Sequence, residues 1–185
     1  ADRPPVMSNK LEVLVTVKAY PNPSKNLGEA ACIAGVSRDG KFVRLYPVPF
    51  RDLEGDKRFS KYQWIKVKAS KPKSDQRPET FRPDFSTIEV VSGILSPNKH
   101  WAARYEFLKP VQAASMCDIQ DAQKRDGTSL GFFRPKEILD IETDHEESQT
   151  WTKAELAKLG QQDLFMTKDR KLLEKIPVSF SYRFR

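Results

Sequence analysis

Alternation at period two runs through several parts of the chain and predicts most of its elements. In "LEVLVTVKAY", Leu11, Val13, Val15 and Val17 fall on one face, with Glu12, Thr16 and Lys18 opposite, the signature of a half-buried strand. "YPNPSKNLG" breaks that strand with turn-forming residues. "EAACIAGVS", "RDG" and "KFVRLYPV" together predict a β-hairpin, because Asp39-Gly40 supplies the positive φ of a tight turn. "YQWIKVKAS" sets Gln63, Ile65, Val67 and Ala69 against Tyr62, Trp64, Lys66 and Lys68. "KPKSDQRPETFRPD" is extended and proline-rich, and "FSTIEVVSGIL" predicts a further strand.

The period then changes. "HWAARYEFLK" and "PVQAASMCDIQDAQKRDG" have helical spacing, the second expected to open on Pro110 and close on Gly127. "SLGFFRPKEILDIET" is extended again, with Ile138 and Leu139 open between strand and short helix. "TKAELAKLG" follows a capping box of Thr152 and Glu155 and ends at Gly160. In "IPVSFSYRFR", Phe180, Tyr182 and Phe184 alternate with Ser181, Arg183 and Arg185, a final strand. Because that pattern stops in mid-course, the native polypeptide is expected to continue past Arg185.

These elements predict a mainly β fold with helical insertions, a β-rich α+β class, as two small barrels or one curled antiparallel sheet. The expected divisions are a disordered leader over residues 1–10, a first barrel-like lobe over 11–98, and a helical insertion with a second β lobe over 99–185. The 185-residue length suits one domain or two small lobes. No run approaches the ~18 apolar residues of a membrane span, and "ADRPPVMSNK" lacks a signal peptide's apolar region, so a cytoplasmic protein is expected. Cys32 and Cys117, each in an apolar stretch, are expected as buried, reduced thiols.

Charge changes the picture. The chain carries 32 basic and 25 acidic residues, net +7, which favours a polyanionic partner. Seven basic residues (Lys61, Lys66, Lys68, Lys71, Lys73, Arg77, Arg82) lie between Lys61 and Pro83, against Asp75 and Glu79. Glu137 to Glu147 holds six acidic residues and no Lys or Arg.

Phosphate-binding and nucleophile motifs are absent, and His100 and His145 are the chain's two histidines. "RPDFSTIEV" resembles a nuclease pattern through Pro83, Asp84 and Glu89, but Val91 stands where a lysine belongs. On a strand, Asp140, Glu142 and Asp144 would project from one face about 6–7 Å apart, able to hold Mg²⁺ for phosphodiester cleavage. The plain alternative is a solvated acidic loop. No cofactor and no catalytic residue are assigned.

The stronger signal is for binding. Tyr62, Trp64, Lys66 and Lys68 form one aromatic and cationic stripe, and Phe42, Arg44 and Tyr46 another. Rings stack on unpaired bases while neighbouring cations neutralise phosphates, the way single-stranded nucleic acid is held. The same rings could instead pack beneath the helices, with lysines reaching the rim. Arg77-Pro78, Arg82-Pro83 and Arg134-Pro135 preset extended arginines suited to phosphate, or to pairing with the acidic stretch. The candidate interface is therefore Arg44, Tyr46, Arg51, Tyr62, Trp64, Lys66, Lys68, Lys71, Lys73, Arg77, Arg82 and Arg134. A metal-dependent phosphodiesterase and a scaffold that meets an acidic protein partner are the rival readings.

"VLVTVKAYPNPS", "FVRLYPVPFR", "YQWIKVKASKPKSDQRPETFRP", "SLGFFRPKEILDIE" and "EKIPVSFSYRFR" resemble an uncharacterised bacterial family described as containing a dual OB-type domain. The resemblance runs from Leu11 along nearly the whole chain. It implies two small oligonucleotide-binding-type barrels, in mobile-element or defence contexts, and carries over no catalytic residue. Members continue past the "SYRFR" position into a Cys/His-bearing segment.

Overall fold

The computed structural model describes residues 9–145, 148–160 and 171–185. Most of the expected leader thus lies outside the described residues, as do Glu146 and Glu147 of the acidic stretch. The chain forms two compact units, one running up to Tyr20 and over Ala31–Phe133, the other comprising Pro21–Ala30 and Arg134–Arg185.

The strands in chain order are β1 (Asn9–Lys18), β2 (Asn22–Ser24), β3 (Gly28–Ser37), β4 (Phe42–Val48), β5 (Trp64–Ser70) and β6 (Thr80–Val90). The first unit is a barrel in which β1, β5, β6, β4 and β3 are neighbours in that order, and β3 pairs back onto β1 to close it. Every neighbouring pair is antiparallel except β4 and β6, which run parallel through Arg44↔Thr80 and Leu45↔Phe81.

The alternation read from the sequence is what fills this barrel. Val13, Val15, Ile33, Val43, Leu45, Ile65, Val67 and Ala69 point inward with Ile88, and Leu53 and Phe59 close the interior from the β4–β5 connection. Register shifts between Val15 and Val17, Ala31 and Ile33, and Lys66 and Lys68 mark bulges, which sharpen strand coiling so that a short sheet can close. The first bulge moves Val17 off the inner face, leaving it exposed where strict alternation predicts burial. The "RDG" hairpin forms as expected, with Gly40 at φ 69° and its N–H donating to Ser37 O at 3.1 Å. Close packing also fixes Gly35, whose hypothetical Cβ would collide with the Leu14 carbonyl oxygen and lie 2.9 Å from Val13 Cγ1.

A second apolar cluster lies outside the barrel wall. Leu14, Val36 and Trp64 pack with Leu108, flanked by Phe42, Leu95, Phe107, Val111 and Phe132. Leu108 ends helix α1 (Asn98–Leu108), in which Lys99, His100 and Trp101 have left-handed backbone. Helix α2 (Met116–Asp126) opens at Ser115, not at Pro110 as expected. Pro110 belongs to a short 3₁₀ turn, and Ala113 N donates to Phe132 O, so this part of the chain is committed before the helix begins. The start is then set by a capping box, Ser115 with Asp118, and the end by Gly127 at φ 78°. Cys32 is half-buried, but Cys117 is exposed on α2, correcting the expectation of two buried thiols.

In the second unit β2 pairs with the beginning of β3. Strand β7 (Ile138–His145), helix α3 (Lys153–Gly160) and strand β8 (Val178–Phe184) follow. Thr152 and Glu155 cap α3 as predicted, and Trp151 Nε1 donates to Leu173 O at 2.6 Å beside buried Leu159 and Leu173. Ile138 and Leu139 are strand residues: β7 and β8 form a two-stranded antiparallel ribbon. Among the described residues this ribbon, not a second closed barrel, is the β structure of the later half. The described residues are mainly β with three α-helices, and no described helix is long and apolar enough to cross a membrane.

Candidate nucleic-acid interface

The outward stripe of β4 changes character along its length. Phe42 is half-buried under the outer apolar cluster, Arg44 is nearly covered, and Tyr46 is 40% exposed. The Arg44 guanidinium lies 4.9 Å from the centre of the Tyr46 ring, so ring and cation form one stacked unit.

The β5–β6 connection, residues 71–79, folds against this stripe because β4 and β6 are paired. Arg44 N donates to Glu79 O at 2.8 Å, and Arg44 Nη1 reaches Asp75 Oδ2 at 3.2 Å and Thr80 Oγ1 at 3.3 Å. Asp75 also takes Arg77 through both carboxylate oxygens, Nε to Oδ1 at 2.8 Å and Nη2 to Oδ2 at 2.5 Å. Arg77 N turns back to Oδ1, an Asx turn. Hydrogen bonds from Arg77, aided by Arg44, hold the Asp75 carboxyl well below the usual carboxylate range, and Asp75 in turn raises Arg77. Lys71 donates to Pro78 O and sits 3.9 Å from the centre of the Phe81 ring; burial lowers its pKa.

Glu79 closes the loop from beneath and is 4% exposed. Its Oε1 accepts Ser129 N at 2.7 Å and Ser129 Oγ at 2.6 Å, while Oε2 is buried with no hydrogen-bond partner. A buried acceptor left unmet costs about 1–3 kcal/mol.

The structure thus brings Arg44, Tyr46, Lys71 and Arg77 together, with Lys73 exposed on the same loop. Lys68 and Arg82, also exposed, line an open cleft of about 180 Å³ with Ala69, Ser70, Pro83 and Asp84. Other expected members fall elsewhere. Trp64 is 2% exposed, edge-on to Phe107 at 5.1 Å and capped by the Arg38 guanidinium at 3.7 Å. It is core, and the stacking role assigned to it is corrected. Tyr62 is half-buried at φ 66°, held against Trp101 at 5.3 Å and Arg104 at 3.8 Å. Its ring is occupied by protein, which corrects the expectation of a free platform. Lys66 stands between cross-strand neighbours Glu12 and Glu89 rather than in a cationic field. Arg51 lies half-buried in a 3₁₀ turn, and Arg134 belongs to the second unit.

Among the described residues no ion pair joins Arg77, Arg82 or Arg134 to the acidic stretch. Arg77 takes Asp75, whereas Asp140 pairs with Arg183 at 3.0 Å, Glu142 approaches the same guanidinium at 3.9 Å, and Glu137 pairs with Arg185 at 2.8 Å. Asp140, Glu142 and Asp144 do share a strand face, but Arg183 stands across from the first two and Ser179 opposite the third, and no group of three ligating side chains able to hold a metal occurs among the described residues. The Mg²⁺ alternative is corrected accordingly.

Asp75 and Glu79 are the residues that sequence reasoning undervalued, having counted them only as a minority charge. The Asp-x-Arg spacing of "SDQRPE" was the available signal, since an aspartate there caps the amide two residues on.

A model described as Domain of unknown function (DUF8758) matches residues 9–110. The chain belongs to this family. The DUF8758 region contains all five barrel strands and α1, hence the whole Arg44–Tyr46–loop assembly. A second model, Domain of unknown function (DUF8757), matches residues 111–185, so the family boundary precedes the structural division after Phe133. No curated protein and no solved structure matches the chain.

Proposed function

We propose that this DUF8758 barrel binds single-stranded nucleic acid, with Tyr46 stacking on a base and Arg44, Lys71, Lys73, Arg77, Lys68 and Arg82 meeting phosphates. The observation that carries the reading is the parallel β4–β6 pairing, which brings the cationic 71–79 loop against the Arg44–Tyr46 stack. Counted around the chain, the barrel strands β1, β3, β4, β5 and β6 are ordered first–second–third–fifth–fourth, closing on the first. That is the order of an OB-type barrel, whose second and third strands and fourth-to-fifth loop form the oligonucleotide-binding side. Tyr46 lies on the third strand, and residues 71–79 are that loop. The bacterial origin, the mobile-element or defence setting and the cytoplasmic location implied earlier belong to this proposal as well.

The test is salt-titrated binding of the full chain to single- and double-stranded oligonucleotides. The expected result is micromolar or tighter affinity for the single strand, falling as salt rises. Tyr46→Ala should cost about 1–3 kcal/mol of binding, the usual worth of one stacked base. Lys71→Glu with Lys73→Glu should flatten the salt dependence. Absence of binding to either polymer at low salt would overturn the reading and leave a protein-binding role.

A further inference from the structure

The 71–79 loop supplies its own anion to the cations it carries. Asp75 presents two oxygens to the Arg77 fork and shares one of them with Arg44 Nη1. A phosphate presents the same edge to a guanidinium, and arginine accepts either group bidentately. We propose that Asp75 is an internal stand-in for phosphate, occupying Arg44 and Arg77 while the barrel is empty and yielding both to a phosphate of a bound single strand. The inference rests on the nucleic-acid reading above and adds regulation of the same site.

Two observations beyond the ion pairs favour a displaceable contact over a permanent staple. First, the arrangement is open along one edge: the Arg77 side chain is 36% exposed, while those of Asp75 and Arg44 are 18% and 11% exposed beneath it. Second, the closed loop leaves Glu79 Oε2 buried with no hydrogen-bond partner. The carboxylate holds Ser129 through Oε1 alone, and opening the loop would bring solvent to its other oxygen. The same opening would free Lys71, whose amine is otherwise engaged with Pro78 O and the Phe81 ring. One movement therefore exposes three cations and relieves one orphaned acceptor.

The experiment measures binding of the full chain to a fluorescent oligothymidylate across a salt series, for wild type, Asp75→Asn and Asp39→Asn. Asp39 pairs with Lys41 at the β3–β4 turn, so its variant removes the same charge away from the loop. Asp75→Asn should bind about tenfold tighter at low salt, with a logarithmic salt slope close to that of wild type, because both complexes end on the same phosphate contacts. Asp39→Asn should match wild type. If wild type binds and Asp75→Asn binds no better, or Asp39→Asn gains as much, this inference falls while the nucleic-acid reading stands. If no protein binds, both fall.

A second readout keeps the test decisive should Asp75→Asn fail to fold. Carboxyl-carbon NMR of wild type should find the Asp75 titration moving up toward the ordinary aspartate range when oligothymidylate saturates the protein. Bound protein in which Asp75 still titrates as in the free state would overturn the proposal.

Discussion

In β5, Ile65, Val67 and Ala69 are 0%, 1% and 2% exposed, whereas in β8 Phe180, Tyr182 and Phe184 are 62%, 59% and 36% exposed. The two strands alternate with equal regularity. β5 has hydrogen-bonded neighbours on both sides and a barrel interior to face, while among the described residues β8 pairs with β7 alone, and every residue of β7 is exposed. Alternation therefore specifies two faces of a strand without guaranteeing that either is buried. Burial needs a second apolar surface, which the barrel provides by closing on itself. What holds the ribbon is backbone pairing and cross-strand contact, such as Ile141 opposite Tyr182 and Asp140 opposite Arg183.

The sharpest way to break the barrel side of this comparison is Gly35→Ala. The added carbon would collide with the β1 backbone at Leu14, which cannot rotate away, so a loss of at least ~4 kcal/mol is expected. Thermal unfolding followed by circular dichroism should find no cooperative barrel transition. Next in size is a matched pair of truncations. Leu45→Ala should cost about 2–5 kcal/mol in denaturant titration, and Ile141→Ala within about 0.5 kcal/mol, because only the first leaves a cavity. Equal losses would contradict the account of where stability resides.

A smaller effect belongs to the loop. The folded protein holds the Asp75 carboxyl below its ordinary value of 3.8, so unfolding raises its pKa. The resulting stabilisation is fully present above that ordinary value and fades as pH falls from it toward the depressed folded one. Between wild type and Asp75→Asn, stability curves should converge as pH drops through that acid window and run parallel above it. Smallest is Arg183→Ala on the ribbon, expected to cost less than about 1 kcal/mol and to lose even that in high salt, since the guanidinium is 63% exposed. Denaturant midpoints at two salt concentrations check it.

Much of the fold is legible in the sequence. The inward residues of β1, β4 and β5 follow from period two, the β3–β4 turn from Asp39-Gly40, and the start of α3 from Thr152 and Glu155. Val17 departs from the alternation because a bulge after Val15 interrupts the count, and bulges leave no mark in an apolar run. The candidate site was half legible. Arg44 and Tyr46 were found by their shared face, but the same logic put Trp64 and Lys68 together on one outward stripe, where helix-borne Phe107 covers the first and leaves the second open.

Order along the chain was enough to set the strands, the hairpin and the helix caps, because each depends on residues within a few positions of one another. The closure of β4 on β6, the cover over Trp64 and the capture of two arginines by Asp75 became definite only when the chain packed. Arg44 meets Thr80 across 36 positions, and Ser129 meets Glu79 across 50. Such partners are selected by the shape of the closed barrel, and the energy that joins them has no counterpart in local spacing.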